Sequence, residues 1–195
     1  MADVPRMPAA AVEKLREVLR RSGDYLEYGS GGSTILALSG AACRVVSVES
    51  DARYLAAVTR KAAGFEARFT PLYADIGVTT RWGWPISAGS SDRWPDYARL
   101  PWRHLAAEGV FPDSILFDGR FRVACVLESL LRLGTRTCLL MLDDYSLRPS
   151  YHVLESEGFV TRVEMADRML VAKRADGFDP AKAGALLERS FMDPR

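Results

Sequence analysis

The sequence is poor in the residues that build covalent or metal scaffolds. Its three cysteines, Cys43, Cys125 and Cys138, show no CxxC spacing and sit among apolar neighbours. That argues against a disulfide framework or a zinc site and points to buried free thiols in a reducing, cytoplasmic setting. There are only two histidines, His104 and His152. No apolar run approaches the roughly 20 residues that a membrane-spanning helix needs. The N-terminus lacks the continuous apolar segment of a secretory leader. Charge of one sign is also missing. Lys and Arg number 26 against 25 Asp and Glu, a net charge of +1, and no basic tract marks a general nucleic-acid binder. Neither an internal repeat nor a low-complexity segment is found.

What is present is an ordinary globular composition, 48% apolar and 26% charged over 195 residues, which suits one domain spanning 1–195. Apolar residues at helical spacing predict a helix over 9–21, stopped by Gly23. Strands are predicted at 25–28, 44–49, 67–74, 114–118 and 137–142, with helices between them closed by Gly40, Gly64 and Gly134. A helix over 151–157 and an antiparallel hairpin (159–165 and 169–173) follow, then a terminal helix over 181–189. This alternation predicts an α/β fold, a doubly wound and mainly parallel sheet with helices on both faces. Residues 76–108 interrupt the rhythm as an inserted loop or lid region, with a short helix expected over 97–108, perturbed by Pro101. Trp82, Trp84 and Trp94 lie in its polar first half, either as a lid over a pocket or as a satellite apolar cluster. Tyr73 and Tyr145 stand near strand ends, as pocket lining or as packing.

Ligands of such sheets bind beyond the C-terminal ends of the strands. Glu27, Glu49, Asp75, Asp118, Asp143 and Asp144 all fall at or just after predicted strand ends. Between the first strand and its helix lies Gly29-Ser30-Gly31-Gly32-Ser33-Thr34. Glycines there allow close backbone approach, and a helix start offers free N–H groups. Thr34 stands where a dinucleotide fingerprint has its third glycine or alanine, and no Gly-Lys-Ser/Thr follows, so neither a nicotinamide site nor a P-loop fits well. Glu27 beside the loop would repel a pyrophosphate and attract an ammonium. Glu49, 20 positions after Gly29, suits ribose hydroxyls, and Asp75 an adenine edge. The ligand implied has adenine, ribose and an amino-acid tail.

Glu27-x-Gly29-x-Gly31, then Glu49, then Asp75, resembles the class I S-adenosylmethionine-dependent methyltransferase family over roughly residues 24–174. The resemblance implies a seven-stranded sheet ending in an antiparallel hairpin, and S-adenosylmethionine as cofactor. It places Glu27 and the Gly29–Ser30–Gly31 backbone at the methionine end, Glu49 and Ser50 at the ribose, and Asp75 near the adenine. Ser33 departs from the family pattern, which often has a third glycine there.

Asp118, Asp143 and Asp144 are expected to converge, and their repulsion needs an offset: a divalent cation, an arginine or a raised pKa. The pattern resembles metal-dependent small-molecule O-methyltransferases, which implies Asp118, Asp143 and Asp144 as ligands of Mg²⁺ or another divalent cation. Pairing of Asp118 with Arg120 or Arg148 is the alternative. Arginines at 120 and 122 are poor bases, so the catalytic candidates are Asp118, Asp144 and His152. The expected function is methyl transfer to a small-molecule acceptor. A cofactor-binding or interaction domain of the same fold is the alternative, and a nucleotide-linked oxidoreductase is disfavoured. Neither a nucleic acid nor a membrane is an expected partner. A homo-oligomer is left open, with the N-terminal helix and the tryptophan segment as candidate interfaces.

Overall fold

A computed structural model describes residues 5–195. The elements run α1 (Ala9–Leu19), β1 (Asp24–Tyr28), α2 (Gly32–Gly40), β2 (Arg44–Glu49), α3 (Ala52–Lys61), β3 (Phe69–Tyr73) and α4 (Pro95–Glu108). There follow β4 (Ser114–Phe117), α5 (Arg122–Leu133), β5 (Leu139–Leu142), α6 (Val153–Ser156), β6 (Val160–Ala166), β7 (Met169–Arg174) and α7 (Pro180–Ser190). One sheet carries them in the order β3-β2-β1-β4-β5-β7-β6. The first five strands pair in parallel; β7 is antiparallel to both β5 and β6. This is the seven-stranded, mainly parallel α/β sheet with a closing hairpin that the sequence predicts.

Side-chain alternation along the strands divides the core in two. Leu26, Tyr28, Val46, Val48, Ile115 and Phe117 face one side, covered by α4, α5 and α7. Tyr25, Val45, Leu116 and Met141 face the other, covered by α1 and α2. In α1 the buried residues Ala11, Val12, Leu15, Val18 and Leu19 form one stripe at helical spacing. In α3 the Asp51 carboxylate caps the helix by accepting from the Arg53 and Tyr54 N–H groups.

The inserted region divides in two, and the helix expected over 97–108 is present. Its second half is α4, which buries Tyr97, Ala98, Trp102 and Leu105 against the sheet and takes Pro101 within its span. Trp94 belongs to the same core, with its ring 5.5 Å from that of Phe121. Only residues 76–93 remain outside the layers, as short 3₁₀ turns closed by a Thr79–Pro85 bridge. The helix predicted over 151–157 is a 3₁₀ turn, 149–152, leading into the single turn of α6, since Pro149 sets the start of the segment. Phe65–Phe69 likewise opens with a 3₁₀ turn, which shortens β3 at its start.

Between β1 and β4 the chain leaves neighbouring parallel strands in different directions, which makes a topological switch point. There the two following loops touch. Gly29 has φ +92°, and a Cβ on it would lie 2.7 Å from the Gly119 nitrogen and 2.8 Å from its Cα. A Cβ on Gly119 would meet the Tyr97 hydroxyl at 2.0 Å. Glycine at both positions is therefore a steric requirement of the loop crossing.

Candidate active site

A cleft of about 1000 Å³ opens at this switch point, at the upper end of the size range for small-molecule sites. Its floor is the Gly29–Ser33 loop with Asp118 and Gly119. One wall is Glu49 with Asp51 and Tyr54 of α3, and the other is Arg120, Asp143, Asp144 and Arg148. Thr80 to Trp84 close over it.

The glycine loop is fixed from below. The Gly31 N–H donates to the Thr34 hydroxyl at 2.8 Å, and that hydroxyl donates to the Glu27 carboxylate. Glu27 also accepts from the Ser47 hydroxyl at 2.9 Å and the Tyr25 hydroxyl at 3.3 Å. Desolvation, opposed by those hydroxyl donors, pushes the Glu27 carboxyl up to about 7. On the wall, the Ser50 and Asp51 N–H groups both donate to one oxygen of Glu49, at 2.7 and 2.9 Å. Its second oxygen has no hydrogen-bond partner among the described residues. Burial raises the Glu49 carboxyl as well.

At the far wall the three acids meet. One oxygen from each of Asp118, Asp143 and Asp144 falls within 4.8 Å of the others. Their charge is matched by arginines. Arg122 pairs with Asp118 at 2.9 Å and Asp144 at 3.4 Å. Arg168 grips Asp143 through two nitrogens, at 3.0 and 3.2 Å, and reaches Asp144 at 3.0 Å. Arg148 stands 3.6 Å from Asp144. Three carboxylates thus face three guanidinium groups. Arg122 also donates to the carbonyls of Gly119 at 3.0 Å and Asp143 at 2.6 Å, which ties the two strand-end loops together. Burial pushes the Asp118 carboxyl up to about 7 against the pull of Arg122.

No family model matches the sequence, and no curated protein does. Among solved structures, a methyltransferase-like protein from Silicibacter pomeroyi is 34% identical, covers 98% of each chain and superposes with a TM-score of 0.84. The chain belongs to the class I S-adenosylmethionine-dependent methyltransferase family. Two more distant methyltransferases share the fold. An O-methyltransferase from Bacillus cereus in complex with SAH is 16% identical, with a TM-score of 0.59 over 90% of this chain and 83% of that one. An SAH-bound methyltransferase from Podospora anserina is 13% identical, with a TM-score of 0.53 over 85% and 77%.

In this member of the family the predicted site residues divide. Gly29, Ser30, Gly31, Glu49, Asp118, Asp143 and Asp144 line the cleft. Glu27 does not face it. Strand alternation turns its side chain to the α2 side, where it is wholly buried under the loop. Ser50 is buried behind Glu49, its hydroxyl directed at Glu49 and the Gly83 carbonyl. Asp75 lies outside the cleft, accepting from the Gly77 N–H at 3.0 Å and paired with Arg93. His152 is exposed on the 3₁₀ turn before α6, with Nε2 3.2 Å from the Tyr145 carbonyl, and is not brought to the cleft. Tyr73 is exposed and Tyr145 is packed in the core, and neither lines the cleft.

The structure adds residues that the sequence reading missed. Tyr54 and Lys61 of α3 line the cleft, as do Arg81 and Arg168. Of the tryptophans, Trp82 and Trp84 face it and Trp94 does not. The arginine partners also differ from those expected, because Arg122, four residues after Asp118 on the first turn of α5, takes the place proposed for Arg120. Helical i,i+4 spacing was the available signal.

Proposed function

We propose that this protein transfers a methyl group from S-adenosylmethionine to a small-molecule acceptor, with oxygen as the accepting atom. The observation that carries the reading is the joining of two half-sites in one cleft. The glycine loop and Glu49 lie on one side, and Asp118 with its neighbours on the other. The residues fit the cofactor. The loop has no side chain to obstruct close approach at Gly29 and Gly31, the start of α2 supplies backbone donors, and the second Glu49 oxygen is open to ribose hydroxyls. When bound, S-adenosylmethionine supplies an electrophilic methyl on a sulfonium.

The protein's part is placement and proton management. Arg122 holds Asp118 at the cleft wall by a 2.9 Å bond. An Asp118 carboxyl raised to about 7 is matched to taking a proton from an acceptor hydroxyl near neutral pH. Thr80 to Trp84 cover the cleft and limit water access.

The three acids converge closely enough to hold a cation, but arginines already occupy their oxygens. Arg122, Arg148 and Arg168 already match their charge, and Asp143 spends both oxygens on Arg168. In our reading the arginines, and not a metal, offset these acids, and no step is routed through a cation. Calorimetry with S-adenosylhomocysteine tests the cofactor half: binding to the wild type and at least tenfold weaker binding to Glu49→Ala are expected. Binding of NAD with none of S-adenosylhomocysteine would overturn it.

A further inference from the structure

Arg120 is a buried cation in the cleft without a matching carboxylate. Arg120 is 9% exposed, yet no carboxylate lies within ion-pair distance of it among the described residues, and its buried Nε has no hydrogen-bond partner. Its neighbours worsen the position. Arg122 and Arg148, of the same sign, join burial in lowering its pKa. Those two and Arg168 all have acids, so Arg120 differs from every other arginine of that wall. Its guanidinium carbon stands 5.4 Å from the centroid of the Trp84 ring. A cation–π contact offsets part of the desolvation and accepts no N–H bond.

The position is built rather than incidental. The Arg120 stem lies under the lid, with Cγ 3.7 Å from where a Gly83 Cβ would stand, and the residue lines the cleft. Phe121, next in the chain, is fixed in the core with φ +53°. A buried cation without a partner is a large cost unless something supplies the partner.

We propose that Arg120 anchors an anionic group, a carboxylate or phosphate, on the methyl acceptor. The inference rests on the methyltransferase reading and narrows its substrate class. An acceptor bearing an oxyanion would take two N–H bonds from the guanidinium in a fork geometry that a lysine does not reproduce. Its nucleophilic oxygen would be oriented toward Asp118, two residues before the anchor. The cofactor also carries a carboxylate, but the free N–H groups at Gly32 and Ser33, where α2 starts, already offer that group a site.

Calorimetric titration of the full chain with benzoate, benzamide and inorganic phosphate, each with and without saturating S-adenosylhomocysteine, tests the assignment in wild type, R120M and R120K. Methionine keeps the apolar stem against Trp84 and removes the charge. Benzoate or phosphate is expected to bind the wild type, at least tenfold more weakly R120M, and to recover only in part in R120K, with benzamide indifferent to all three. The affinities for S-adenosylhomocysteine and for methylthioadenosine, which has no carboxylate, should change less than threefold. R120M should melt no lower than wild type, since it removes an unpaired buried charge. The proposal is overturned if neither anion binds the wild type, or if R120M binds them equally well. It is also overturned if R120M loses S-adenosylhomocysteine tenfold while keeping methylthioadenosine, because the arginine then serves the cofactor. Failure of the wild type to bind S-adenosylhomocysteine would remove the methyltransferase reading instead, and the anion titrations would still decide the role of Arg120.

Discussion

Replacing Glu27 by glutamine should make stability less dependent on pH. Glu27 is wholly buried, and its carboxyl is raised from 4.5 to about 7 by desolvation. Between those values the folded protein holds a proton that the unfolded chain releases. Folding is therefore favoured by this group below pH 4.5, and that contribution is lost as pH rises to about 7. The shift corresponds to about 3.5 kcal/mol at roughly 1.4 kcal/mol per pH unit. Glutamine has the same shape and does not titrate. Its oxygen, in the place of Oε2, can accept from Thr34 and Ser47, and its NH₂, in the place of Oε1, can donate to the Tyr25 hydroxyl. Asp118 titrates in both proteins, and Glu27 is the last of the causes that shift it, after burial, Arg122, Asp143 and Asp144, so most of its contribution is common to the two. Urea unfolding of wild type and Glu27→Gln at pH 5 and pH 8 should show the difference in stability moving in favour of the variant by about 2.5 kcal/mol, since part of the effect is already present at pH 5. For a domain of this size that is roughly 5–10 °C in relative melting temperature. A difference that stays constant from pH 5 to pH 8, or moves the other way, would refute the assignment of a proton to this buried carboxyl.

Other outcomes follow from the same geometry. Gly29→Ala combines a left-handed φ of +92° with a Cβ 2.7 Å from the Gly119 nitrogen; it should cost at least about 1–2 kcal/mol from the backbone alone, more from displacing Gly119, and abolish S-adenosylhomocysteine binding, read by thermal melting and calorimetry. Transfer activity should be unchanged within twofold by EDTA or by added Mg²⁺, because arginines match the charge of Asp118, Asp143 and Asp144; a metal requirement would show as loss on chelation and rescue by the ion. The pH–rate profile should rise along an acidic limb near 7 as Asp118 loses its proton, and Asp118→Asn should lower kcat by roughly a hundredfold or more without that limb.

The fold was legible because its signals are periodic. Buried parallel strands such as Val45–Val48 and Leu139–Leu142 read as apolar runs, and the acids at their ends mark the face where ligands collect. Glu49 and Asp118 were found by that rule. It failed for Glu27 and Asp75 for different reasons. Position along a strand says which end a residue occupies, but alternation decides which face it takes, and Glu27 is turned under α2, where Thr34 and Ser47 hold it. The threonine that spoils the fingerprint is thus part of what fixes the loop. Asp75 reaches its strand end but is held by Arg93 from the following loop, a contact between positions 18 apart that no local spacing announces. Tyr54 and Lys61 escaped notice because a helix face lining a cleft has the same pattern as one facing solvent.

The three-acid cluster shows where sequence reasoning has to stop and why. Convergence of Asp118, Asp143 and Asp144 follows from strand order, and so does the need for opposite charge. The identity of that charge does not follow. Arg168 sits at the hairpin turn joining β6 and β7, and it reaches Asp143 only because β7 inserts between β5 and β6. With β6 beside β5 instead, an ordering equally compatible with an antiparallel hairpin, the same arginine would have no defined route to Asp143, and a cation would be the simpler offset. The choice between a metal site and an arginine-locked wall therefore depends on the strand order at the sheet edge. Once Arg122, Arg148 and Arg168 are assigned to the acids, Arg120 is the one arginine of that wall left without a partner, and it stands where an acceptor would enter.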